Sequence, residues 1–133
     1  MSARYLVDTD WTVDYLNGQE RTRKRLEEIE GSGLAVSIIS LAEVYEGIYY
    51  SKDPEGNEKA LLDFLQDVTV ISIDEEISRL FGKERGRLRA AGKMTSDFDL
   101  LIGMTACRYQ LTLLTNNRRH FEDIEGLRIE SLN

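Results

Sequence analysis

Arg4-Tyr5-Leu6-Val7, running into Asp8-Thr9-Asp10, is the stretch whose reading decides the fold. A short apolar, β-prone run that stops at a carboxylate delivers an acid to the rim of an α/β sheet. In such sheets ligands gather outside the carboxyl ends of the strands, where the strand order reverses. One aspartate there decides little. What matters is whether the later acids arrive at the same rim.

Working outward, the pattern alternates. Residues 11–17 read as a short helix stopped by Gly18, and residues 20–30 as a charged helix with Leu26 and Ile29 inward. Residues 34–39 form an almost purely apolar run, the signature of a strand buried on both faces. A helix opening at Ser40 follows, then a helix from Pro54 to about residue 65 and a third strand over residues 68–71. Residues 74–91 show helical spacing, with Lys83, Arg85, Arg87 and Arg89 on the outer face. After a loop over residues 94–98, residues 99–109 are apolar nearly all round and read as a buried helix. Residues 111–115 give a fourth strand ending at Asn116-Asn117, and residues 127–129 a short edge strand. Strands alternating with helices predict an α/β three-layer sandwich: a mainly parallel five-stranded sheet flanked by helices, with residues 1–133 as a single domain.

The totals narrow the chemistry. One cysteine, Cys107, allows no internal disulfide and agrees with a reducing compartment. No apolar run is long enough for a membrane span and Met1-Ser2-Ala3-Arg4 leads into no signal-like apolar region, so a cytoplasmic protein without membrane contact is expected. The single histidine, His120, excludes zinc sites built from Cys and His and a ribonuclease mechanism that uses a His pair. A formal net charge of −7 opposes binding a polyanion by bulk electrostatics. A nucleic-acid role must then rest on local basic patches or on metal ions that invert the local charge.

In a parallel sheet, strand ends and the following helix starts share one rim. Asp8 follows the first strand, Ser40 and Glu43 the second, and Asn116 and Asn117 the fourth, while Asp97 and Asp99 open the helix that leads into the fourth. Each has a purely structural reading. Ser40-x-x-Glu43 is a capping box and Ser96-x-x-Asp99 a near-copy, Asp8 or Asp10 could cap the next helix, and Asn117 could make a turn. As a set they ask for more, because clustered carboxylates repel and raise one another's pKa. A hard divalent cation such as Mg²⁺ or Mn²⁺ holds such a cluster, since it prefers oxygen ligands and keeps several waters. Asp97 and Asp99 cannot face the same way on a helix; Asp99 is the primary ligand, and Asp97 is either its neighbour on the cap side or a group behind the ligands. Cys107 reads as inert core, Tyr45, Tyr49 and Tyr50 as packing or an interface, and His120 as a surface residue. The basic groups around Arg21 and Arg87 read as solvated helix faces, either of which could line an RNA path.

Val7-Asp8-Thr9-Asp10, Ser40-Leu41-Ala42-Glu43-Val44-Tyr45-Glu46-Gly47, Asp97-Phe98-Asp99-Leu100-Leu101-Ile102-Gly103 and Leu114-Thr115-Asn116-Asn117-Arg118-Arg119-His120-Phe121 together resemble the PIN-domain ribonucleases, and most closely the VapC toxins of prokaryotic toxin–antitoxin pairs. The resemblance runs in order over essentially the whole chain. It implies an endoribonuclease dependent on Mg²⁺ (Mn²⁺ possible) that cleaves cellular RNA by metal-activated water, a cognate antitoxin that neutralises it, and a homodimer or a toxin–antitoxin hetero-oligomer. Asp8, Glu43 and Asp99 match the family's acidic triad. Its fourth site, often Asp, is Asn117 here, which supplies no charge toward a second metal. By the resemblance Asp8 and Asp99 are main ligands, Glu43 a ligand or water-orienting base, and Asn117 a positioning group; Asp97 counts among the metal-site acids by its place beside Asp99. Thr115 and Asn116 support the site. Gly103 stands where relatives usually have Ala, a difference expected to matter little.

Two rivals stand beside it. Asp8-Thr9-Asp10-Trp11-Thr12 is similar to the Asp-x-Asp-x-Thr start of haloacid-dehalogenase-type phosphatases, in which the first Asp attacks phosphorus and the second acts as acid and base. Replacing Asp10 should destroy a phosphatase and leave a nuclease nearly untouched. The other rival is a non-catalytic PIN-fold binding module, for which Asn117 leaves room.

Overall fold

In the computed structural model, which describes residues 2–132, β1 (Tyr5–Val7) lies at the centre of a five-stranded sheet. On one side of it come β2 (Leu34–Ser37) and β3 (Val68–Ile71), and on the other β4 (Thr112–Leu114) and β5 (Arg128–Glu130). All four pairings are parallel, with Tyr5 opposite both Leu34 and Thr112. The chain leaves β1 toward one edge and returns to fill the other, so the strand order reverses between β1 and β4. That crevice is where a parallel sheet binds ligands.

Helices supply the crossovers. α1 (Thr9–Leu16) and α2 (Glu20–Ile29) lead to β2 by way of a single 3₁₀ turn. α3 (Ile38–Tyr49) and α4 (Pro54–Leu65) lead to β3, and α5 (Glu75–Ala90) and α6 (Asp97–Tyr109) to β4. The short α7 (Arg118–Phe121) precedes β5. Successive strand residues point to opposite faces of the sheet, and the core divides accordingly. Leu6, Ala35 and Leu113 join Leu88, Leu100 and Ile102 of α5 and α6, whereas Val7, Val36 and Leu114 join Trp11, Leu26 and Ile29 of α1 and α2. Truncating any of the fully buried leucines to Ala costs about 2–5 kcal/mol.

Three expectations need correction. The run over residues 34–39 is not all strand: β2 stops at Ser37, whose Oγ accepts a hydrogen bond from the Ile39 N–H at 3.0 Å and caps α3. The β-preference of Ile38 and Ile39 yields to a cap that satisfies the helix's free donors. Ser40 therefore caps nothing; it is buried within α3, and its hydroxyl has no protein partner. Likewise α6 begins at Asp97 inside the expected loop, capped by Ser96. A β-carbon at Gly103 would stand 2.6 Å from Ile124 Cδ1, the tip of a side chain that must shift to admit it.

Candidate active site

The Asp8 N–H donates to Leu114 O at 3.0 Å, carrying the β1–β4 pairing one residue past the end of β1. Asp8 thus occupies the N-cap position of α1, yet its carboxylate makes no cap bond. Instead its Oδ2 accepts from the Thr115 hydroxyl at 2.8 Å, across the strand-order reversal. The residue is only 4% exposed. Burial, aided by the charges of Asp10 and Asp99, pushes its pKa from 3.8 up to about 7 against the lowering effect of the Thr115 and Thr9 hydrogen bonds.

Because α3 is capped by Ser37, Glu43 has no capping task. Its Oε1 accepts from the Thr9 hydroxyl at 2.6 Å, which ties it to the residue after Asp8. Asp99 sits in the first turn of α6, where its N–H is held by Ser96 Oγ at 3.2 Å. Its side chain is about one-fifth exposed, and its Oδ2 lies 3.4 Å from His120 Nδ1. Asp97, two residues earlier, diverges as helical spacing requires. Arg85 Nη2 engages its Oδ1 at 2.6 Å, and its side chain is mostly exposed.

The segment after β4 closes the site. The Asn117 N–H donates to Thr115 Oγ1 at 3.0 Å, so one buried threonine hydroxyl serves both Asp8 and Asn117. Asp10 ties the first turn of α1 to this turn: its Oδ2 accepts the Asn116 N–H at 2.8 Å and its Oδ1 the Trp11 N–H at 2.8 Å. The fully buried Trp11 donates its indole N–H to Asn116 Oδ1 at 3.0 Å. Burial raises the Asp10 pKa against the lowering effect of the two backbone donors.

Asp8, Thr9, Asp10, Glu43, Asp97, Asp99, Asn117 and His120 line one cavity of about 490 Å³, completed by Ser96 and Phe98. A larger cleft along α2, about 690 Å³, runs over mostly exposed side chains and contains none of these acids. Among the described residues, no three or more Asp, Glu, His or Cys side chains are drawn together tightly enough to enclose a metal ion by themselves. The donor set nevertheless fits a hard divalent cation that keeps its waters: carboxylates from three separate elements, one of them buried and strained toward protonation by its acidic neighbours. Asp8, Glu43 and Asp99 could hold such an ion, with Asp97 drawn aside by Arg85.

Sequence reading missed the supporting roles of Thr9, Asp10, His120 and Arg85. Thr9 and Asp10 lay inside the quoted motif, but their partners are 34 and 106 residues away. His120 is exposed, as expected, and also borders the cavity, for which its place three residues after Asn117 was the available signal. Arg85 and Arg87 do not lie on a freely solvated face. Arg85 binds Asp97 and the Thr95 carbonyl, and Arg87 pairs with the buried Glu84 and with Glu125. Cys107 is half-buried, and burial raises its thiol pKa, in keeping with an inert side chain.

Comparison with known proteins agrees with this geometry. The PIN-domain profile matches residues 5–127. Ribonuclease VapC1 of Methanocaldococcus jannaschii is 36% identical over 129 residues, 96% of this chain and 87% of that protein. The tRNA(fMet)-specific endonuclease VapC of Salmonella typhimurium is 30% identical over 128 residues, 96% of each. Among solved structures, VapBC2 of Rickettsia felis bound to a DNA fragment from its promoter superposes with a TM-score of 0.90 at 30% identity, covering 97% of this chain and 98% of that one. The chain belongs to the PIN-domain family, among the toxins of the VapC type.

Proposed function

We propose that this chain is a metal-dependent endoribonuclease that cleaves cellular RNA in the cytoplasm and is neutralised by a cognate antitoxin. One observation carries the reading: Asp8, Glu43 and Asp99, from three separate elements, open with Asn117 into a single cavity at the strand-order reversal. The printed activities of the relatives, ribonuclease and tRNA(fMet)-specific endonuclease, support it. A divalent cation, when bound, neutralises phosphate charge and makes water acidic enough to react near neutral pH. Asp8 and Asp99 would hold that cation. Glu43, fixed by Thr9, accepts the proton of the attacking water, and the Asn117 amide orients the scissile phosphate. Thr115 locks Asp8, while Asp10 and Trp11 fix the 115–117 turn that carries Asn117.

Asp10 has both carboxylate oxygens committed to backbone N–H groups, which disfavours the phosphatase reading, where it must trade a proton with substrate. It also changes what its replacement would do: the turn at Asn116 loses its anchor, so a nuclease would suffer as well. The exposed Tyr49 and Tyr50 at the end of α3 are the surface we assign to an antitoxin or to a second copy of the chain. No helix among the described residues is long and apolar enough to cross a membrane.

The test is incubation of the purified chain with mixed tRNA and rRNA, in Mg²⁺ and in EDTA. Discrete fragments in Mg²⁺ alone are expected. Identical fragments in EDTA, or none in Mg²⁺ or Mn²⁺ together with no growth arrest on expression, would overturn the proposal.

A further inference from the structure

Phe98 lies between Asp97 and Asp99 in the first turn of α6, 55% exposed. It belongs to none of the three apolar clusters of the protein, so folding does not account for it. It lines the same cavity as the acids. Its backbone is braced from both sides. Ser96 caps the turn, and Arg85, packed over the Phe81 ring, holds Asp97 and the Thr95 carbonyl. A large apolar ring is thus held half-bare beside a cluster of acids.

The charge distribution says what such a ring is for. Among the described residues lining the cavity there is neither lysine nor arginine, and the whole chain carries −7. A polyanion brought here gains little from the side-chain charges, so beyond a bound cation its affinity draws on contacts indifferent to charge. Stacking of a base on an aromatic face is such a contact, and it works with any base that is out of a duplex.

Resting on the ribonuclease reading above, we propose that Phe98 is the stacking platform for the unpaired nucleobase flanking the scissile phosphate. The ring fixes the nucleotide beside the acids, and a paired base cannot reach it.

The test uses short RNAs of mixed sequence carrying one 2-aminopurine, unpaired or annealed to a complement. They are bound to the full chain in an Asp8→Asn background so that no cleavage intervenes. Phe98→Leu keeps size and apolarity without the π-face; Phe98→Trp keeps the face. Expected for Phe98→Leu are a loss of affinity for unpaired RNA on the order of 10-fold and loss of the 2-aminopurine quench, with Phe98→Trp unimpaired and duplex binding unchanged. Unpaired RNA bound as tightly by Phe98→Leu as by the Phe98 protein overturns the proposal, as does an equal loss for duplex. A changed sedimentation mass in Phe98→Leu with RNA binding intact also overturns it, assigning the ring to a protein contact. In the Asp8 protein, cleavage of mixed tRNA and rRNA that ignores Phe98→Leu overturns this inference alone. No metal-dependent cleavage by the unaltered chain overturns the ribonuclease reading with it.

Discussion

Replacing Asp8 with asparagine should make the metal-free protein more stable at neutral pH while removing its activity. The folded state holds the Asp8 proton up to about pH 7, whereas an ordinary aspartate releases it near 3.8. Between those values the folded chain binds more protons than the unfolded one, so stability falls as pH rises from about 4 to about 7 and is level above. A rise of about three pKa units corresponds to roughly 4 kcal/mol of destabilisation once Asp8 is ionised, at 1.36 kcal/mol per unit. Proton sharing with Asp10 and Asp99 trims this, leaving about 2–4 kcal/mol. Asp8→Asn keeps the acceptor for Thr115 and removes the charge. For a chain of this length the gain is roughly 5–15 °C in Tm. Thermal unfolding by circular dichroism in EDTA, at about pH 8 and at about pH 4.5, reads it: a large gain at the higher pH and little at the lower. Mn²⁺ should then raise the Tm of the Asp8 protein far more than that of the variant. Equal destabilisation of Asp8→Asn at both pH values would refute the electrostatic reasoning.

Thr9→Val removes the hydroxyl that holds Glu43 at 2.6 Å, and should cost about 10- to 100-fold in kcat with Tm nearly unchanged; unaltered kcat in steady-state cleavage contradicts a role for Thr9 in aiming Glu43. Gly103→Ala gains about 1 kcal/mol of helix propensity but meets Ile124 Cδ1, an overpacking cost of about 1–3 kcal/mol. Combined with Ile124→Val, which deletes that methyl, it should be more stable in urea than the two single changes sum to, by about 1–2 kcal/mol; strict additivity would place the two residues out of contact. Glu84, held below its ordinary pKa chiefly by the Arg87 hydrogen bonds, contributes stability that is present above its unfolded pKa and lost as pH falls through its lower folded value. Glu84→Gln should therefore lower Tm at neutral pH and converge on the parent in acid, and a constant difference across pH would contradict the ion pair.

The sheet was legible because its strands are short apolar runs ended by polar residues, and a buried parallel strand such as Leu34–Ser37 has few other readings. Of the candidate site, Asp8, Glu43, Asp99 and Asn117 were legible because each lies just past a strand end or in the first turns of a helix, positions that a parallel sheet sends to one rim. Two things were not. The start of α3 was hidden because Ile38 and Ile39 look like strand, and only the bond between Ser37 and the Ile39 N–H reveals the cap. The supporting contacts were hidden because Thr9 to Glu43, Asp10 to Asn116 and Arg85 to Asp97 join segments 34, 106 and 12 residues apart, and no local periodicity encodes such pairs.

The most direct measurement is Mn²⁺ binding, followed by electron paramagnetic resonance, in the unaltered chain, Asp8→Asn and Asp99→Asn, with cleavage of mixed tRNA and rRNA read in the same samples. Binding and cleavage should be saturable together in the unaltered chain and lost together in both variants. Cleavage that persists in either variant, or proceeds without a divalent cation, would contradict a metal-dependent ribonuclease built on Asp8 and Asp99.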